Sequence, residues 1–452
     1  MNRLFEISKS GLASAQRSLT VTSNNIVNAD TPGYTRQRVD QTPVGLNTGM
    51  TTIGLGVNIS TANRLRNDMN DVLTNQKRQE MGFMNYKNQV YERLQASMTT
   101  DSGGDLDVRI SRLFDMFSEL ANDPQDTSVR NSLLTEAQQL TSKFGNIDQN
   151  LSDASSLIAD TAQTTVTNIN NLLKDLQALN ESVVQSTYRG APDPTSMDLR
   201  VQKLEELAEL VDFTQMTTDS GNIEIRIGGV RVLDDESLLQ LRTEVSPNDQ
   251  QFNIRVGSGK VIDVSGGELG AQVDMYERDI PAMQEKLDRV AETLVTELNA
   301  IHRSGYGLED ATPRDFFIAG GTAAGSIQIN PDLLANPSNI AGSAIAGEAG
   351  NGELAAMITD LRNEGLVGGR KLVDYTIEVI STPGSEIFAL SSQIETKEAE
   401  IAMLQTQQER QAGVNIDEEL ANMIQYQNAY QGAARVMQSA QELYDTLLGI
   451  VA

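Results

Sequence analysis

Residues 128–187 read SVRNSLLTEAQQLTSKFGNIDQNLSDASSLIADTAQTTVTNINNLLKDLQALNESVVQST, with no Pro and a single Gly. Apolar or small residues fall at Leu133, Ala137, Leu140, Phe144, Ile147, Leu151, Ala154 and Ile158, then at Ala162, Thr165, Ile169, Leu172, Leu176, Leu179 and Val183. The steps alternate four and three, with one four-four step around Ile158 and Ala162, a stutter that relaxes a left-handed supercoil. A continuous helix of this length spans about 90 Å at its 1.5 Å rise, which makes it a rod-like element and not an ordinary globular helix. Ser128 with Asn131 lacks the acidic partner of a capping box, so the helix start near Ser128 is only partly specified.

Outward from this rod the helical pattern continues. Asp71 to Met98 is helical in composition, and Leu106, Ile110, Leu113, Phe114 and Phe117 share one face before Asn122-Asp123-Pro124 stops that segment. Ile280 to His302 and Ser385 to Arg410 read as returning helices of the same bundle. Between Gly190 and Gly267 the texture changes. Ala191-Pro192-Asp193-Pro194 breaks the rod, a short helix covers Met197 to Val211, and Ile223, Ile225 and Ile227 then alternate with Glu224 and Arg226 as in a half-buried strand. Gly228-Gly229, Ser246-Pro247-Asn248-Asp249 and Gly257-Ser258-Gly259 separate further strands at 230–233, 238–245, 252–256 and 260–264, the pattern of a small antiparallel β domain inserted into a helical one. After Phe316-Phe317, the Gly/Ala-rich stretches 320–325 and 341–352 hold too few large apolar residues for a core of their own and read as loop.

Both chain ends carry heptad stripes. Phe5, Leu12, Leu19 and Ile26 recur every seven residues, with Ser8, Ala15 and Thr22 between them; Ile416, Met423, Tyr430, Met437 and Tyr444 do the same at the far end, joined by Leu420 and Leu447. Neither helix buries its stripe alone, so the ends are expected to pair with each other or with further copies as a coiled coil, an assembly seam. Residues 1–40 hold five basic and three acidic residues, whereas 411–452 hold one basic and five acidic, so charge favours pairing of unlike ends. Burial of each seam Leu or Ile contributes about 1.5–3 kcal/mol against about 0–1 kcal/mol for an exposed ion pair: apolar contact drives association while charge selects the partner.

The run from Gly11-Leu12 through Ser23-Asn24-Asn25 to Thr31-Pro32-Gly33-Tyr34, with Gly413-Val414-Asn415-Ile416-Asp417-Glu418-Glu419 opening the last helix, resembles the paired terminal signatures of the bacterial flagellar axial family of rod, hook and hook-associated proteins. Val27 stands where many relatives carry Ala. A long helical bundle directly after the terminal region is similar to the hook-associated branch, the hook–filament junction type, whereas rod and hook members have β-rich middles. Ser196-Met197-Asp198-Leu199-Arg200 and His302-Arg303-Ser304-Gly305-Tyr306 leading to Asp315-Phe316-Phe317 add looser likeness. The resemblance implies a structural subunit of the extracellular flagellum. Its implied partners are copies of itself in a ring, the flagellar hook protein, a second hook–filament junction protein, the flagellar type III export apparatus and an export chaperone. Export without a cleaved signal peptide is implied too. Larger relatives carry an outer β domain after the Asp-Phe-Phe segment, for which the roughly sixty residues here are too few.

Composition sets the remaining bounds. With 452 residues, a formal charge of −27 and a pI near 4.4, the chain is long enough for several domains and too acidic to favour nucleic acid or an anionic membrane. The absence of Cys removes disulfides, thiolate metal sites and thiol nucleophiles together. No continuous apolar stretch reaches the length of a membrane span. His302 is the sole histidine, near a helix end, where a capping or surface role is expected and its change to Ala should be silent. Asp105-Leu106-Asp107 and Asp234-Asp235-Glu236 lack the pattern of a calcium loop, and no phosphate loop, nucleophile elbow or zinc helix is present, so no catalytic, cofactor or metal residue is expected.

The expected organisation is mainly α with a small β domain in an elongated subunit: 1–65 with 411–452 as an inner terminal coiled-coil domain, 66–188 with 268–410 as a discontinuous helical bundle, and 189–267 as an inserted outer β domain. The last is expected to be peripheral, so that deleting 191–266 leaves the helices intact. The alternatives are another rod or hook component, or a flagellum-mounted enzyme or adhesin active in the inserted domain.

Overall fold

The computed structural model describes residues 2–31, 33–47, 52–99, 104–190, 192–246, 251–309, 313–318 and 320–451. Its axis is α4 (Thr127–Tyr188). Of the stripe read from the sequence every residue is buried except Leu179, which is half-buried. Past the stutter the buried face widens to take in Val166 and Leu173. The cap lies earlier than Ser128: Asp126 accepts the Ser128 N–H at 2.6 Å, the N-cap bond that an Asp supplies without any acidic partner at N3.

Against α4 pack α2 (Asp68–Thr99), α3 (Leu106–Asn122) and α7 (Ile280–His302), with α5 (Pro194–Leu210) and α6 (Gly267–Asp274) beside them, and α10 (Leu372–Ala412) packs outside on α2, α3 and α7. At Gly82 of α2 a Cβ would stand 2.2 Å from the carbonyl oxygen of Glu209, so only glycine lets α5 come this near. A π turn, Met275–Asp279, joins α6 to α7 just ahead of Pro281, which has no N–H to give a regular turn. Helix α10 starts thirteen residues ahead of the expected Ser385 and runs through Pro383. Proline cost it one internal bond, but burial of Pro383 and of Leu372, Tyr375 and Val379 ahead of it holds the helix together.

Among the described residues the antiparallel strands form three sheets. Hairpin β1 (Gln37–Asn47) and β2 (Thr52–Arg64) lies along the N-terminal helix and was not expected. Strands β3 (Thr214–Thr217), β4 (Ile223–Ile227) and β5 (Val230–Leu233) form one sheet, and β6 (Leu241–Ser246), β7 (Gln251–Val256) and β8 (Lys260–Ile262) another. Of the expected turns, Ala191 and 247–249 lie outside the described residues.

The segment 189–267 is not peripheral in its packing. Leu204, Leu207, Ile225, Ile227 and Ile254 belong to the same continuous core as Val166, Ile169 and Leu176 of α4. Asn170 donates to Leu241 O and accepts from Leu241 N, each at 2.9 Å, and Asn180 donates to Ile223 O at 2.9 Å and accepts from Ile223 N at 3.3 Å. The deletion of 191–266 therefore strips one side of α4. We expect loss of the second half of that helix, read as a drop in helical circular dichroism beyond that of the residues removed; unchanged helicity of the remainder would contradict the shared core.

Between Phe317 and α10 the described residues hold only α8 (Pro331–Ala335), α9 (Glu353–Asp360), 3-10 turns and isolated bridges. This segment has no separate core, yet buried polar groups fasten it. Asn299 accepts the N–H groups of Phe316 and Phe317 and donates to Phe317 O. Arg130, 1% exposed, donates to the carbonyls of Pro124 and Ile340.

His302 is neither a cap nor a surface residue. It is buried, with Nδ1 2.8 Å from Arg314 O and Nε2 accepting from Ala341 N at 3.0 Å. The stripe of α7 points it inward, where the returning chain supplies both partners. Burial pushes its pKa down to about 4, with Arg130 and Arg314 adding to the effect against the Arg314 carbonyl. Because the folded value lies below the unfolded one, the neutral ring stabilises the fold fully above pH 6.5, and this contribution is lost as pH falls through 4; it amounts to about 3 kcal/mol. We expect His302→Ala to lower unfolding free energy by about 2–4 kcal/mol at pH 7 and to flatten the pH dependence between 6.5 and 4, measured by denaturant titration. An unchanged midpoint would contradict the buried role.

Candidate functional site: the terminal clasp

The N-terminal helix α1 (Asn2–Val27) and the C-terminal helix α11 (Ile416–Val451) pair antiparallel, Phe5 meeting Tyr444 at a ring-centroid distance of 6.4 Å and Asn25 meeting Glu419. Beside this aromatic contact the buried residues are small. Ser8, Ser14, Ala15, Ser18 and Thr22 of α1 are buried, as is Ala440 of α11, and a Cβ on Gly11 would stand 3.5 Å from that of Ala433. Backbones that approach so closely leave the large stripe residues on the flanks. Phe5, Leu12, Leu19, Ile26, Met423 and Met437 are half-buried, while Ile416, Leu420, Tyr430 and Tyr444 are 40–45% exposed. Ile424, which the heptad reading omits, is 60% exposed. The side chain of Leu447 lies outside the described residues.

One end of this pair is locked. Asn25, 1% exposed, donates through Nδ2 to Gln37 O (2.9 Å) and Glu419 Oε2 (3.1 Å), and its Oδ1 accepts from Tyr34 Oη (2.9 Å) and Gln37 N (3.0 Å). A side-chain amide satisfies all four because it alone combines two donors with a two-lone-pair acceptor. Arg36 closes the arrangement with Nη2 2.6 Å from Glu419 Oε1 and Nη1 3.1 Å from Glu418 Oε2. Burial works against the guanidinium charge, but its hydrogen bonds to Glu418 and Glu419 win and raise its pKa. Burial, helped by the negative charges of Asp198 and Glu419, pushes the Tyr34 phenol up to about 12, so it remains a donor to Asn25.

The turn that aims Tyr34 is the one expected from its sequence. Tyr34 N donates to Thr31 O at 3.1 Å and Gly33 holds φ at +79°, the left-handed value of the second central residue of a type II turn; Pro32 lies outside the described residues. Ser23 and Asn24 of the same motif are exposed, and the Asn24 carbonyl ends α1 by accepting from Asn28 N and Nδ2. The motif thus divides: Asn25, Gly33 and Tyr34 build the clasp, while Ser23 and Asn24 face solvent. Arg36 and Glu419 were not singled out individually, although the opposite charge of the two ends pointed at such a pair.

The arrangement is a fastener built of hydrogen bonds and ion pairs between the two chain ends. Among the described residues no three or more His, Asp and Glu side chains gather as a metal would require, and no helix is long and apolar enough to cross a membrane.

Comparison with known proteins agrees in both extent and order. Residues 91–317, about half of the chain, match the family described as "Flagellar hook-associated protein FlgK helical domain". Residues 5–35 match "Flagella basal body rod protein", and 405–450 match "Flagellar basal body rod FlgEFG protein C-terminal". The chain is 24% identical to the Flagellar hook-associated protein 1 of Bacillus subtilis (98% of this chain, 97% of the relative) and 24% identical to that of Salmonella typhimurium (all of both chains). A solved structure, the flagellar hook junction protein FlgK from Burkholderia pseudomallei, superposes with a TM-score of 0.63 at 13% identity over 75% of this chain and 99% of that one; at such identity it speaks for the fold.

Proposed function

The chain belongs to the flagellar hook-associated FlgK family, and from this premise we propose that it is the structural subunit that joins hook to filament, assembling through α1 and α11. The observation that carries this reading is the contrast between the two helical parts. The rod α4 buries its stripe apart from half-buried Leu179, whereas α1 and α11 are clasped at one end and leave Ile416, Leu420 and Ile424, spaced four residues apart, open along one face of α11, with Tyr444 exposed further along that helix. Apolar surface of this regularity is what a third helix covers, and neighbouring copies in a ring supply such helices.

On this reading the work is mechanical, without a catalytic step. Its partners are further copies of the chain, the hook protein on one side and a second junction protein on the other, with export through the flagellar apparatus, assisted by a chaperone, to the cell exterior. We divide the labour among 1–65 with 411–452 as the inner assembling unit, 66–188 with 268–410 as the bundle, and 189–267 as the outward part carried on it. The test is a strain lacking this chain. It should make hooks without stable filaments, and a tagged copy should restore filaments and lie as one focus at the hook tip. Filaments of normal length in the deletion strain would overturn the proposal.

A further inference from the structure

The chain passes between the terminal unit and the bundle at 65–67 and again at 413–415. Both crossings are stitched through one residue, since Leu65 N donates to Arg36 O at 3.0 Å and Arg36 N donates to Ala412 O at 2.9 Å. Two crossings held side by side define an axis, and rotation about single bonds near it leaves the orientation of the unit open. A contact off that axis is needed to fix the angle. Helix α5 provides one, on the face that carries Asp198, Gln202 and Glu205.

Asp198 accepts from Thr35 N (3.2 Å), Thr35 Oγ1 (2.7 Å) and Arg64 Nη2 (2.6 Å), with both charged side chains largely buried. One turn along α5, a Cβ on Gly33 would lie 2.4 Å from Gln202 Nε2, so the Thr31–Tyr34 turn sits directly on this face. A further turn on, Glu205 Oε1 lies 3.9 Å from Arg66 Nη2. The helix itself is pinned to the bundle by Arg200, which donates to Asn180 Oδ1 (3.1 Å) on α4 and to Gly221 O (2.7 Å). The dipeptide spacing therefore sends one side chain to each unit. We propose that Asp198 is a latch, with Thr35 and Arg64 as its catch, that sets the angle at which the terminal unit stands on the bundle, making α5 a positioning element of the assembly surface.

Charge makes the latch decisive. Burial, with the Arg66 charge adding to it, disfavours the guanidinium charge of Arg64, and burial with the Arg64 charge does the same to Arg200. Removing one carboxylate from a buried pair leaves its guanidinium uncompensated beside like charges, so the unlatched state is driven open as well as released. The latch is a property of the isolated chain; only its service to assembly rests on the function proposed above, and an experiment on the free chain separates the two.

The sequence holds no cysteine, so Ala178→Cys on α4 and Gln425→Cys on α11, both exposed positions, take nitroxide labels only where intended. Double electron–electron resonance then reads the distance between bundle and terminal unit. The parent should give one narrow distribution, and Asp198→Ala should at least double its width while thermal melting of the bundle shifts by no more than a few degrees. Thr35→Val with Arg64→Met removes the catch from the terminal side and should broaden the distribution as much, which keeps the test decisive if Asp198→Ala fails to fold. A distribution already broad in the parent, or one that stays narrow in either folded variant, overturns the latch.

Discussion

Replacing Asn25 by Leu is expected to open the clasp and to abolish stable incorporation at the hook tip. The substitution keeps the volume and removes four hydrogen bonds, stranding Gln37 N, Gln37 O, Tyr34 Oη and one oxygen of Glu419. Each buried polar group left without a partner costs about 1–3 kcal/mol, and even with half of them rehydrated the loss is about 3–5 kcal/mol, more than an isolated helix pair of this kind holds in reserve. The bundle shares none of these bonds and should melt as before. Hydrogen exchange of the purified chain is the check: amides of 22–37 and 415–426 should become unprotected while those of α4 stay protected. Normal protection of the terminal segments in this variant would show that the clasp does not depend on Asn25.

Leu420→Asp combined with Ile424→Asp should have the opposite signature, an intact monomer that fails to assemble. Both side chains are 45–60% exposed in the single chain, so two carboxylates there cost the monomer little, about 0.5 kcal/mol or less each. In a covered seam each would be desolvated next to apolar neighbours at a cost of several kcal/mol. We expect a thermal midpoint within a few degrees of the parent, normal export, and at least a tenfold drop in hook tips carrying the protein by immunoelectron microscopy. Leu12→Asp, on a half-buried position, should disturb the monomer more. Efficient incorporation of the double variant would place the assembly surface elsewhere.

What the sequence made legible follows from how local each signal is. The stripe of α4 repeats from Leu133 to Val183, and no alternative structure buries it so completely. Strands β4 and β5 were readable because Ile223, Ile225 and Ile227 alternate with charged residues and Gly228-Gly229 supplies the turn. Hairpin β1–β2 gave no such alternation: Pro43 interrupts β1, and the hairpin rests on α1 through polar contacts such as Gln41 with Ser18. The start of α10 was hidden by Pro383, whose burial no local pattern reveals. His302 was misjudged because its partners, Arg314 O and Ala341 N, are backbone atoms of a segment whose composition says only loop.

The clasp was legible in outline and not in mechanism. Heptads and unlike charge pointed to pairing of the ends, but Asn25 meets Glu419 across 394 residues and no spacing rule links them. The sequence placed Ser8, Ala15 and Thr22 in the seam between the large stripe residues, and these small residues are the ones that become buried. Most of the large residues beside them stay half-buried or exposed, which is why they remain for another partner.

Hydroxyl-radical footprinting of the free chain and of the chain in assembled flagella tests that claim most directly. Ile416, Leu420, Ile424, Tyr430 and Tyr444 should react readily in the free chain, in keeping with their exposure, and fall at least fivefold in reactivity on assembly, while Phe388 of α10, 81% exposed, serves as an internal reference outside the seam. Equal reactivity of the five seam residues before and after assembly would contradict the account, because the open face of α1 and α11 would then face solvent in the flagellum as well.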